Sequence, residues 1–130
     1  MGEPRPAKGD TMVYRLITDL AAVRSFVCSR AIALGLDPSR AEMLMLAVNE
    51  LATNTLQYTG DGGQVQLWAE EGQLVCDVVD QGPVRSFGRA MPPADAVRGR
   101  GLAIVELVCD HVAAFASARG TVVRMRLGLA

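Results

Sequence analysis

Two stretches of apolar alternation, each turning back on itself, limit what this chain can fold into. In Gln64–Glu70, Val65, Leu67 and Ala69 point one way. After Glu71-Gly72, the residues Leu74, Cys76, Val78 and Asp80 share one face of Leu74–Asp80. A period of two over runs this short reads as a β-hairpin. Val112–Ser117 and Thr121–Leu127 repeat the pattern around Arg119-Gly120, with Val123, Met125 and Leu127 on the inner face. A tight turn joins antiparallel strands only, since parallel strands need a long crossover.

The first half of the chain has the helical period instead. Leu20, Val23, Phe26, Val27, Ala31 and Leu34 mark a helix over Asp19–Leu34, with Thr18 as its N-cap and Gly35 as its stop. Asp37 followed by Pro38 starts a second helix, Pro38–Tyr58. Leu44, Val48, Leu51 and Thr55 make one stripe along it, and beside it run Met43, Ala47, Glu50 and Asn54. Thr11–Ile17 reads as a short edge strand, and Gly101–Cys109 as a third helix with Leu102, Val105 and Val108 along one side. Hairpins and separate helices imply an α+β, two-layer sandwich: a mixed, mostly antiparallel sheet with helices on one face. The expected organisation is a flexible N-terminal tail over 1–10 and a single domain over 11–130.

At 130 residues, half of them apolar and 21% charged, the chain can bury a core without disulfide or metal staples. Thirteen basic and 14 acidic residues nearly cancel and form no block of one sign, which argues against a nucleic-acid binder or a polybasic membrane anchor. Cys28, Cys76 and Cys109 stand singly among apolar residues and read as buried free thiols. The polar start lacks the apolar core of a secretory signal, and no apolar run is long enough to span a membrane. A reduced, cytoplasmic protein is expected. His111, the only histidine, reads as structural.

Three motifs carry chemistry. Glu50 and Asn54 lie four apart on one helix, so a carboxylate and an amide oxygen aim at one spot. An ordinary polar stripe would look the same. Asp80 ends an apolar strand face, and a buried carboxylate needs donors such as an exocyclic amine. Gly82 beside it lets a ligand approach the backbone, although an aspartate capping a turn reads alike. Gly99-Arg100-Gly101-Leu102 opens a helix whose free N–H groups suit phosphate, and a plain hinge fits it too. Gln81–Gly99 holds three prolines, three glycines and three arginines and reads as a long loop, a kind that is often functional. The P-loop and dinucleotide-binding patterns are absent.

In order, a Glu-x-x-x-Asn helix, a strand closed by Asp-x-Gly, a glycine-rich loop opening a helix, and a final hairpin with Gly120-Thr121 resemble the GHKL (Bergerat-type) superfamily. Gyrase, histidine kinases and the MutL repair proteins share that ATP-binding fold. The resemblance runs from about Val13 to Leu127, and is strongest to the small bacterial anti-sigma-factor serine/threonine kinases. It implies that Asn54 holds magnesium and that Glu50 polarises the attacking hydroxyl or water. It implies that Asp80 hydrogen-bonds adenine with Gly82 beside it, that Gly99, Gly101 and Leu102 meet the phosphates, and that Thr121 stands near the adenine end. Residues 81–100 become the lid, from which Arg98 and Arg100 could reach the γ-phosphate. Gln57-Tyr58 departs from the Arg-His of many relatives. Gly82-Pro83 lacks the Gly-x-Gly of histidine kinases and favours the anti-sigma branch.

The activity so implied is transfer of the ATP γ-phosphate, with Mg2+, to a serine or threonine of an anti-anti-sigma partner of the STAS fold. The second partner would be a sigma factor, and a homodimer is also implied. Two rival readings stay open: a stand-alone ATP-binding module without kinase activity, and an interaction domain without nucleotide.

Overall fold

The computed structural model describes residues 10–59, 61–81 and 104–129, with 58 and 59 by backbone alone. Among the described residues the sheet has five strands: β1 (Thr11–Tyr14), β2 (Gly63–Glu70), β3 (Gln73–Asp80), β4 (His111–Ser117) and β5 (Gly120–Gly128). Their order is β1-β2-β3-β5-β4, and every pairing is antiparallel. Both hairpins form. Glu71 and Gly72 sit at positive φ, 51° and 76°, the turn whose twist matches paired strands. The second turn is shifted by one residue from the sequence expectation. Its centre is Ala118-Arg119, and Gly120 is already the first residue of β5.

The helices α1 (Leu20–Ala33) and α2 (Pro38–Thr59) cover one face of the sheet. Leu20, Val23, Val27 and Ala31 of α1 and Leu44, Val48 and Leu51 of α2 pack onto Val65, Leu67, Leu74, Cys76, Val78, Val123, Met125 and Leu127. Complete burial of such a side chain stabilises by about 1.5–3 kcal/mol. The fold is thus the expected α+β sandwich. A further helical stretch over residues 104–108 buries Val105 and Val108. Leu102, expected in that helix, lies outside the described residues.

Local signals place the helix ends. The Gly35 N–H bonds the Ile32 carbonyl (3.0 Å) and the Leu36 N–H bonds the Ala31 carbonyl (3.0 Å). That pair of bonds is a Schellman motif, and it needs the left-handed backbone Gly35 supplies at φ 110°. The Asp37 carboxylate caps α2 by accepting the Ser39 N–H at 3.1 Å.

The start of the domain differs from expectation. Strand β1 ends at Tyr14, and Ile17–Asp19 forms one 3-10 turn. The Asp19 carboxylate bends the chain there, accepting the N–H groups of Arg15 (2.8 Å) and Leu16 (3.0 Å). Thr18 lies inside that turn and is not the cap of α1. Before β1, the Asp10 carbonyl accepts the Leu67 N–H (3.0 Å) and its carboxylate pairs with Arg30 (3.0 Å).

The other sheet face seals itself. Trp68, Val75, Val79 and Val122 are buried there without joining the helix-side core. Arg124 lies between the rings of Trp68 (5.3 Å) and Phe115 (5.2 Å), and its guanidinium holds the fully buried Asp77 at 2.8 Å from both Nε and Nη2. Each cation–π contact contributes roughly 0.5–2 kcal/mol. At the far end, Glu70 accepts the Trp68 indole N–H (2.7 Å) and pairs with Arg126 (3.2 Å).

All three cysteines are free. Cys76 and Cys109 are buried, and burial pushes the Cys109 thiol up to about 12. Cys28 is only half-buried, a departure from the expected burial, because it lies away from the stripe Val23, Val27 and Ala31 that α1 turns to the core. His111 is exposed at the start of β4. No helix among the described residues is long and apolar enough to cross a membrane.

Candidate functional site

The site begins on α2. Its roll about its own axis is fixed by burial of Leu44, Val48, Leu51 and Thr55 beneath it. On the α1 side, Arg24 Nη1 donates to Asn49 Oδ1 at 3.0 Å. With the helix so held, Glu50 is half-buried and Asn54, one turn later, is 8% exposed. The stripe beside the core therefore runs from the exposed Met43 into the protein at Asn54.

Asp80 is the last residue of β3 and is only 1% exposed. An acid so placed must be hydrogen-bonded to stay. The Thr55 hydroxyl donates to its Oδ2 at 2.9 Å, and the Leu51 carbonyl, 3.0 Å from the same hydroxyl, competes for that hydrogen. Thr55 adjoins Asn54 in sequence. The end of β3 and the last turns of α2 therefore meet, so Asp80 and Asn54 stand at one junction. Sequence reasoning placed Thr55 in the apolar stripe and missed its hold on Asp80. The available signal was a hydroxyl in an otherwise aliphatic stripe.

Thr121 pairs directly opposite Asp80 in the β3–β5 ladder and is 6% exposed. The two share one sheet face, since directly opposed residues point the same way. Gly120 precedes it at φ 127°, and a Cβ there would stand 2.4 Å from the Asp80 carbonyl. Only glycine fits such an approach. The demand for glycine thus comes from contact with Asp80 rather than from the centre of the turn.

A cavity of about 420 Å³ opens at this end of the sheet, with Tyr14, Arg15, Asp61, Gln64, Asp80 and Gln81 among its walls. Among the described residues, Glu50 and Asn54 do not line it, so it meets the site through Asp80. Gly82, Gly99, Arg100, Gly101 and Leu102, with Arg98, lie outside the described residues. No group of three or more His, Cys, Asp or Glu side chains able to hold a metal gathers among the described residues. A metal at Asn54 would then take its other ligands from phosphate and water, the usual arrangement for magnesium beside a nucleotide.

A search of the curated proteins finds no match. The family model described as histidine kinase-like ATPase domain matches residues 15–127 of the 130. The matched span takes in Glu50, Asn54, Asp80 and Thr121, and by it this chain belongs to the histidine kinase-like ATPase domain family.

Proposed function

We propose that this chain is an ATP-dependent serine/threonine protein kinase of the anti-sigma-factor type, which passes the γ-phosphate of Mg-ATP to a STAS-fold anti-anti-sigma protein and thereby controls a sigma factor. ATP is the ligand that the family implies. The observation that carries the reading is the buried Asp80 carboxylate, held by Thr55 next to Asn54 and one strand from Thr121. A carboxylate ending a strand in this way is an acceptor suited to an exocyclic amine such as that of adenine. By the family resemblance Gly82, two residues on in sequence, would let the ligand approach the backbone.

Asn54 is a neutral oxygen donor, and it suits a magnesium ion that owes most of its coordination to phosphate. Bound there, the ion supplies charge neutralisation along the triphosphate. Glu50, one turn earlier and half-buried, takes the proton of an incoming hydroxyl in this reading. Phosphoryl transfer asks for positioning and charge stabilisation more than covalent chemistry. By the family resemblance, the phosphate end is assigned to the backbone of Gly99, Gly101 and Leu102, with Arg100. The family proline of Gly82-Pro83 supports the anti-sigma branch.

The test has two stages. Mg-ATP raises the melting temperature of the protein if it binds, and no rise refutes nucleotide binding. Incubation with γ-labelled ATP and candidate STAS proteins then labels the partner on serine or threonine. ATP binding without label on any STAS partner refutes the kinase and leaves a nucleotide-binding regulatory module.

A further inference from the structure

We propose that Arg119 is a positioning residue for the adenine end of the nucleotide site, acting from the sheet face opposite the helices; the inference rests on the nucleotide-binding reading above. Asp80 and Thr121 can act together only if β5 starts at a fixed place beside the end of β3. The Ala118-Arg119 turn by itself does not secure that. The β3–β5 ladder sets the register, but Asp80 and Thr121 are its last pair, and beyond them the turn leads only to β4, an edge strand.

Arg119 provides what the turn lacks. Its carbonyl accepts the Gln81 Nε2–H at 2.9 Å, which ties the turn to the residue directly after Asp80. Its guanidinium reaches back across the sheet. Nη2 meets Asp77 Oδ2 at 2.9 Å on β3, and Nη1 bonds Gln66 Oε1 on β2. One side chain therefore spans two strands, and its own backbone holds the exit of β3.

The anchor at Asp77 is rigid. It is fully buried and also gripped by Arg124, which is wedged between Trp68 and Phe115. Asp77 and Asp80 are three apart on one strand, so they point to opposite faces. The back of β3 is thus bolted to the turn while its front carries the adenine-reading carboxylate. Slack at Arg119 would let Gly120 and Thr121 drift from Asp80, where the backbones now nearly touch. The geometry requires arginine, because a planar fork serves two acceptors at once and an ammonium is a single point.

Calorimetric titration of Mg-ATP and Mg-GTP into the full chain tests this, with Arg119→Ala, Arg119→Lys and Arg126→Ala compared with the parent. Arg119→Ala is expected to weaken ATP binding about three- to tenfold and to narrow the preference for ATP over GTP. Arg119→Lys is expected to recover part of both. Arg126→Ala, which breaks only the Glu70 pair at the far end of the same face, is expected to change neither. Should Arg119→Ala fold poorly, Gln66→Ala, which removes the acceptor of the Arg119 guanidinium on β2 and does not line the cavity, serves for the same measurement. Parent-like affinity in these variants overturns the inference. So does an equal loss for ATP and GTP, which marks a role in stability alone. A parent protein that binds neither nucleotide overturns the ATP reading itself, and the inference with it.

Discussion

The hydroxyl of Thr55, on α2, donates to Oδ2 of Asp80, at the end of β3, across 2.9 Å. That bond joins the helix bearing Glu50 and Asn54 to the end of β3. It holds one oxygen of the buried carboxylate and so limits rotation of the group. Two segments of the chain, 25 residues apart at this bond, thereby meet.

Thr55→Val keeps the volume and removes the donor. The loss of a hydrogen bond to a buried acid is expected to cost about 1–3 kcal/mol of stability and to weaken ATP binding. Thr55→Ser keeps the hydroxyl and should restore most of both. Urea unfolding and calorimetric titration measure the two effects. Unchanged nucleotide affinity in Thr55→Val would show that the bond does not orient Asp80 for binding.

Glu50→Ala is expected to abolish phosphate transfer and leave ATP affinity near that of the parent. Asn54→Ala is expected to remove the magnesium dependence of binding. Asp80→Asn, by turning a pure acceptor into a partial donor facing an amine, is expected to weaken binding itself. A filter assay with a STAS partner reads the first and titrations with and without magnesium read the others. Transfer retained by Glu50→Ala would remove that residue from the chemistry.

Asp77→Asn strands two arginines. The Arg124 and Arg119 guanidiniums lose the charge that holds them at 2.8 and 2.9 Å. Breaking a buried pair from one side typically costs about 3–5 kcal/mol, since the remaining charge stays desolvated. A urea midpoint close to the parent's would mean that water already reaches this face.

Acid should unfold the protein from a recognisable set of carboxyls. Asp19 is held below the usual range by the N–H groups of Arg15 and Leu16, and Asp110 by the Gly128 N–H. Asp37 is held down by the Ser39 hydroxyl, and Glu70 by the Trp68 indole N–H. A carboxyl depressed in the folded state adds stability above its ordinary value, 3.8 for Asp and 4.5 for Glu. That stability is lost as pH falls through the lower folded value. Each exposed group contributes little, and they act in the same direction. Urea midpoints are expected to hold level from about pH 7 to 5 and to fall below about 4.5. A decline already complete at pH 5 would point to a different set of groups.

The alternation in Gln64–Glu70 and Leu74–Asp80, the stripe in α2, Gly35 and Asp37-Pro38 determined the elements and the sandwich. Each acts within one turn or one strand, so its physics is written locally. The spacing of Glu50 and Asn54 was legible for the same reason, since four residues of helix always stack two side chains. The meeting of Thr55 with Asp80, the pairing of Asp80 with Thr121, and the shift of the second turn were decided only in three dimensions. They depend on which strand neighbours which, and β5 reaches β3 past β4 in chain order. The same holds for the layer of Asp77, Arg119 and Arg124. Asp77 lies on the face of β3 opposite Cys76 and Val78, away from the helices. It is buried because long side chains from a neighbouring strand and a distant turn fold over it, and no local periodicity encodes where an arginine will end.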